Sequence, residues 1–191
     1  GGGYDTSAWP TNGTNTIDYY TIATTGNATD FGDSWANFQT LCGVNDKTRG
    51  LFCGGNNNSD TRQNIIQYIT MATPGNSTDF GDLTNPTAFA GGGVDNNSRG
   101  VIGGGTEDGV GMTNKIEYIT IATTGNASDF GDLTEARFGA GGCGNQTRGI
   151  WGGGKGMTDT IDYVTIATTG DATDFGNLTV SKQGMSACSG A

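Results

Sequence analysis

Four near-copies of one unit, strand-forming runs in every copy and no helical periodicity predict an all-β chain built from four small sheets. The copies read TIDYYTIATTGNATDFGD at 16–33, IIQYITMATPGNSTDFGDLT at 65–84, KIEYITIATTGNASDFGDLT at 115–134 and TIDYVTIATTGDATDFGNLT at 160–179. Their shared Tyr falls at 19, 68, 118 and 163, so the unit is about fifty residues long. A second repeated block reads DKTRGLFCGG at 46–55, NNSRGVIGGG at 96–105 and NQTRGIWGGG at 145–154. A third precedes it: NFQTLCG at 37–43, TAFAGGG at 87–93 and RFGAGGC at 137–143. Nowhere do apolar residues recur at i, i+3, i+4 and i+7 over the length of a helix.

Each unit is expected to hold four strands. The first falls on the Phe-Gly-Ala-Gly segment at 138–141 and the second on Arg-Gly-Ile-Trp-Gly-Gly at 148–153. The third is Tyr-Ile-Thr-Ile at 118–121, whose β-branched and aromatic residues favour a pleated strand. Ile119 and Ile121 share one face and Tyr118 and Thr120 the other, which predicts a strand covered on both sides. The fourth is short, around Phe-Gly-Asp-Leu at 130–133. Thr-Gly-Asn at 25–27 and 124–126, and Asp-Phe-Gly-Asp at 30–33, supply turn chemistry, since Gly takes positive φ and Asn or Asp bonds the backbone locally.

A unit of this length with four strands is the signature of a β-propeller blade. The expected fold is a single domain over 1–191 with four blades, their repeat cores at 16–55, 65–105, 115–154 and 160–191 joined to 1–3. The 36 Gly then mark inner strands crowded around an axis, where a larger side chain would clash. Phe31, Phe80, Phe130 and Phe175, one per copy, are expected to fill the gaps between blades.

Composition excludes several function classes. With no His in the chain there is no Ser-His-Asp triad, Cys-His pair or imidazole metal site. Nine Lys and Arg are scattered singly against 19 Asp and Glu, so a basic footprint for nucleic acid or anionic lipid is missing. No apolar run approaches the ~20 residues of a membrane-spanning helix.

The pattern resembles the kelch family, whose blades carry a Gly-Gly doublet after a hydrophobic strand, then a Tyr, an aromatic residue and an Arg. Here Gly153 and Gly154 follow Ile150 and Trp151, then come Tyr163 and Phe175, and Arg137 follows Phe130 in the preceding copy. Phe stands where kelch has Trp, the stretch from Tyr163 to Phe175 is longer than the kelch spacing, and Phe38, Thr87 and Lys182 occupy the Arg137 position elsewhere. Residues 118–134 are similar to tandem repeats in tail-fibre and appendage proteins of aquatic bacteriophages. That resemblance implies an extracellular or virion-surface structural module and no catalytic activity.

Gly1, Gly2 and Gly3 match Gly152, Gly153 and Gly154, and Cys188 matches Cys143. Joining the ends predicts a four-bladed ring whose last blade combines N- and C-terminal strands. In a variant of it, the strand equivalent to 147–151 comes from a neighbouring subunit. The four cysteines, Cys42, Cys53, Cys143 and Cys188, are disulfide candidates, with Cys42 opposite Cys53 in a hairpin and Cys143 with Cys188 between adjacent blades; four free thiols are the alternative. Asn12, Asn27, Asn57, Asn76, Asn96, Asn126, Asn145 and Asn177 stand in glycosylation sequons, or serve as turn residues only. The carboxylates recur as Asp30 with Asp33, Asp79 with Asp82 and Asp129 with Asp132, and Asp174 beside Asn177; Asp30 and its copies Asp79, Asp129 and Asp174 are expected to cap turns. No cofactor is expected; Ca²⁺ is the one ion such pairs suggest, and two carboxylates are sparse beside the six or more oxygens it takes.

The expected function is that of an extracellular structural repeat module in a fibre or appendage, a phage tail fibre or secreted filament, whose partners are copies of itself. No catalytic residue is assigned. The alternative is a lectin-like propeller recognising cell-surface glycans through the segments that differ most between copies: the Trp9 region and the loops 56–62 and 106–112.

Overall fold

The computed structural model describes residues 13–156 and 158–188, and among them all regular structure is β. The first sheet pairs β1 (Thr16–Tyr19) with β2 (Thr29–Asp33). The second runs in the order β3 (Cys42–Asn45), β4 (Arg49–Cys53), β5 (Ile65–Thr70), β6 (Thr78–Asp82). The third contains β7 (Thr87–Ala88), β8 (Gly91–Asp95), β9 (Arg99–Glu107), β10 (Gly111–Thr120) and β11 (Ser128–Asp132), with β7 and β8 both paired to β9. The fourth runs β12 (Gly141–Gly144), β13 (Arg148–Gly152), β14 (Thr160–Thr165), β15 (Thr173–Asn177). All pairings are antiparallel, as short hairpin connections dictate.

The inner strand starts later than the Phe-Gly-Ala-Gly expectation. Thr40, Phe89, Gly139 and Gly184 hold the same repeat position, and all four have φ between 54° and 64°. A left-handed residue cannot continue a strand, so the ladder begins only beyond it, at Cys42, Gly91 and Gly141. The Gly-Gly doublets behave likewise: Gly54, Gly104 and Gly153 have φ near 60°, and each following Gly donates its N–H to the carbonyl of Thr87, Arg137 or Lys182 at 2.7–2.8 Å.

The cores lie between adjacent sheets. One joins Leu51, Ile66, Phe80 and Leu83 of the second sheet to Ile102, Ile119 and Ile121 of the third; the other joins Val94, Val101, Ile116 and Phe130 of the third sheet to Trp151, Val164 and Ile166 of the fourth. The Tyr-Ile-Thr-Ile strand buries its Ile face as expected, whereas Thr120 is exposed and Tyr118 half-buried, so its second face is only partly covered. At the inner strands a Cβ on Gly92 would stand 2.9 Å from the Gly142 nitrogen, the crowding that the Gly content predicts. Among the described residues no sheet closes into a barrel. The expected share of Gly1, Gly2 and Gly3 in the last sheet lies outside the described residues.

Every sheet carries a β-bulge at the same repeat position. Ile17 faces Gly32 and Asp18 faces Asp30, so the register steps over Phe31; the same step occurs at Phe80, Phe130 and Phe175. A bulge takes its residue out of the ladder and re-aims it. Phe31, Phe80 and Phe130 are buried as expected, each meeting the Tyr of its own sheet edge-on with ring centroids 6.0 Å apart. Phe175 is the exception. It is 52% exposed, because no neighbouring sheet among the described residues covers that edge.

Candidate functional site

The feature that recurs in this molecule is a joint between successive sheets, and its parts follow from the bulge. The bulged Phe carbonyl accepts an N–H from the glycine of the equivalent loop of the next sheet (74–77, 124–127 and 169–172): Gly75 to Phe31 at 2.7 Å, Gly125 to Phe80 at 2.8 Å and Gly170 to Phe130 at 2.7 Å. Two residues on, Ser77, Ala127 and Ala172 donate to the carbonyls of Asp33, Asp82 and Asp132, each at 2.8 Å. In return the N–H groups of Asp33, Asp82 and Asp132 donate to the side-chain oxygens of Asn76, Asn126 and Asp171 at 3.0–3.1 Å. Approach is so close that a Cβ on Gly81 would lie 2.5 Å from the Gly125 oxygen.

A second set of contacts locks the joint from the strand side. The N–H of Trp35, Thr84 and Thr134 donates to Gln67, Glu117 and Asp162, three buried polar side chains at one repeat position. Burial pushes the Glu117 carboxyl up, an effect offset in part by its hydrogen bonds from Thr84. Asp162 also pairs with Arg137, and both side chains are fully buried. Burial lowers the Arg137 pKa, opposed by the Asp162 charge. The Arg of each second block lies over the Tyr ring of its own sheet, at 4.8 Å for Arg49 and 4.3 Å for Arg99. Those guanidinium groups then reach across to the Ile121 and Ile166 carbonyls at 3.0–3.1 Å. Sequence reasoning missed this role; the repetition of Arg49, Arg99 and Arg148 was the signal for it.

The predicted site residues distribute around this frame. Cys42 stands directly opposite Cys53 in the β3–β4 ladder, as the hairpin argument expects. No sulfur–sulfur bond joins the four cysteines in this structure; Cys42 and Cys53 are buried, Cys143 is half-buried and Cys188 exposed. Cys42 hydrogen-bonds Cys53, and that contact, followed by burial, raises the Cys53 pKa well above the usual thiol value. Cys143 and Cys188 line one cavity of about 790 Å³, bounded by β3, β8, β12 and residues 187–188.

Of the sequon residues, Asn76 and Asn126 serve the joints. Asn57, Asn96 and Asn145 accept turn N–H groups two to four residues ahead, and Asn177 donates its amide to Asp159 at 2.9 Å. Asn27 is exposed, and Asn12 lies outside the described residues. Asp46 holds the turn position of Asn96 and Asn145; despite desolvation, the N–H groups of Arg49 and Thr48 lower its pKa. Asp30 and Asp174 cap their turns through Gly32 and Gly176 N–H at 3.1 and 2.9 Å. Among the described residues no three Cys, Asp or Glu side chains converge on a common point.

The two variable loops meet. Arg62 bridges Asp108 at 2.5 Å and donates through Nε to Thr106 Oγ1 at 3.0 Å, tying loop 56–62 to loop 106–112. The Trp9 region lies outside the described residues.

No protein-family model and no curated protein sequence matches the chain.

Proposed function

We propose that this chain is a structural repeat module of an extracellular fibre or appendage, non-catalytic, its sheets the four blades of a kelch-like propeller. The observation that carries this reading is the joint: three successive sheet pairs use the same backbone contacts, and the repeated polar side chains are consumed in building them. The buried polar positions Gln67, Glu117 and Asp162 hold neighbouring backbone, and Asp30 and Asp174 cap turns, so they serve architecture. A cavity shared by three inner strands supports radial packing about one axis. The acidic, Asn- and Thr-rich composition suits a solvated outer surface. Electron microscopy of the native material tests the proposal: filaments built of stacked or linked copies are expected, and a dispersed monomer would count against it.

A glycan-binding module is the second reading, and the Arg62–Asp108 bridge favours it by building one continuous surface from the two variable loops. A glycan array separates the readings. Binding that is lost on Asp108→Ala would favour the lectin.

A further inference from the structure

The joint is completed three times inside the chain, and each half of it occurs once more without its complement. On the fourth sheet, Phe175 is 52% exposed, Arg148 is exposed, and a Cβ on Gly176 would meet nothing within 4 Å among the described residues. The same positions in the completed joints are buried Phe31, Phe80 and Phe130, and Gly32, Gly81 and Gly131 pressed against the next loop. On the first sheet, Ile22 is 93% exposed and Tyr20 72%, whereas Ile121 and Ile166, and Ile119 and Val164, are buried at these positions, and on the second sheet Met71 is 40% exposed and Ile69 half-buried. Asp18 is exposed where Gln67, Glu117 and Asp162 are buried. In a completed joint the Cβ position of Gly81 lies 2.5 Å from the Gly125 oxygen, whereas that of Gly176 meets no atom of Gly26 within 4 Å, so the two half-joints of one chain do not touch.

We propose that these two edges are the faces of a head-to-tail interface, through which the loop 20–28 of one copy of this chain docks on the β15 edge of another. The internal joints specify the contacts. Gly26 and Ala28 N–H donate to the Phe175 and Asn177 carbonyls, and Asn177 N–H donates to the Asn27 side-chain oxygen. Thr179 N–H donates to the Asp18 carboxylate, and Arg148 reaches the Ile22 carbonyl. Ile22 enters the apolar face as Ile121 and Ile166 do, and Phe175 becomes buried. The side chains meeting at Asn27 and Asn177 are both neutral, so this joint lacks the carboxylate pair that the Asp132–Asp171 joint tolerates. An interface that joins two different faces is heterologous, and repetition gives a ring of chains or an open filament. This deepens the proposed function and rests on its self-association, though not on its extracellular placement.

The test is photo-crosslinking of the full chain with benzoylphenylalanine at position 22, using a mixture of isotopically heavy and light protein, alongside sedimentation of the wild type. The expected result is cross-links from position 22 to the segment 173–180, joining heavy to light chains, and Ile22→Asp weakening association at least about tenfold. Cross-links confined within single chains would overturn the interface and indicate a ring closed by one chain. Association that Ile22→Asp leaves unchanged would overturn it while leaving self-assembly through another surface. A wild type that stays monomeric at high concentration would overturn both.

Discussion

Asp162→Ala is the sharpest test of how the third and fourth sheets are held. The side chains of Asp162 and Arg137 are 0% exposed. Asp162 accepts from Thr134 N–H at 3.2 Å and from its hydroxyl at 2.6 Å, and it pairs with the Arg137 guanidinium. Arg137 also donates to the Thr160 carbonyl at 3.1 Å, but its Nε has no partner among the described residues. Removing the carboxylate leaves a buried cation without its counter-charge, which costs about 3–5 kcal/mol. For a chain of this size, at about 2–4 °C per kcal/mol, Tm falls by roughly 6–20 °C. Unfolding is read from the fluorescence of Trp151, fully buried in the core between the same sheets. Asp18→Ala alters the same repeat position where it is exposed and changes stability by less than about 0.5 kcal/mol. Replacing the pair by Arg137→Met with Asp162→Leu restores most of the loss, because no charge is then stranded. Equal costs for Asp162→Ala and Asp18→Ala, or a double variant as unstable as the single one, would refute the reasoning.

Three further outcomes follow from the same geometry. Glu117→Gln tests the raised carboxyl: the folded pKa lies above the unfolded 4.5, so wild-type stability falls as pH rises through the folded value. Denaturant titrations should show Glu117→Gln more stable than wild type near neutral pH, with the advantage shrinking as pH drops toward 4.5; an advantage independent of pH would contradict this. Gly81→Ala places a methyl 2.5 Å from the Gly125 carbonyl at φ 145° and should cost about 1–3 kcal/mol in urea unfolding, whereas an unchanged midpoint would mean the joint is loose. In the folded, reduced protein, iodoacetamide should modify Cys188 first and Cys143 next, leaving Cys42 and Cys53 until the chain is unfolded; early loss of the Cys53 thiol by mass spectrometry would contradict its burial and raised pKa.

Much of the architecture is legible in the residues. The Tyr-Ile-Thr-Ile expectation holds through the Thr at 68–70, 118–120 and 163–165, whereas the first copy is paired only as far as Tyr19; the Asn and Asp of the second block close their hairpins, and Cys42 faces Cys53. The Phe-Gly-Ala-Gly segment was misplaced because Phe89 and Thr40 adopt left-handed φ, and neither residue type signals that choice. Gln67, Glu117 and Asp162 are chemically different residues at one repeat position. Their common task, accepting an N–H from the preceding sheet, exists only once two sheets lie side by side. The pairing of loops 56–62 and 106–112 was invisible for the same reason, since Arg62 and Asp108 are far apart in the chain.

The sequence by itself determined the repeat, the strands and the turns, because β-branched alternation, glycine and Asx chemistry act over a few residues. Tertiary structure decided which equivalent residues are buried. Ile22 and Ile121 sit in nearly identical segments, yet one is 93% exposed and the other fully buried. Phe175 and Phe130 differ in the same way. Local sequence can put an apolar side chain on a given face of a strand, but only a neighbouring sheet can remove it from water.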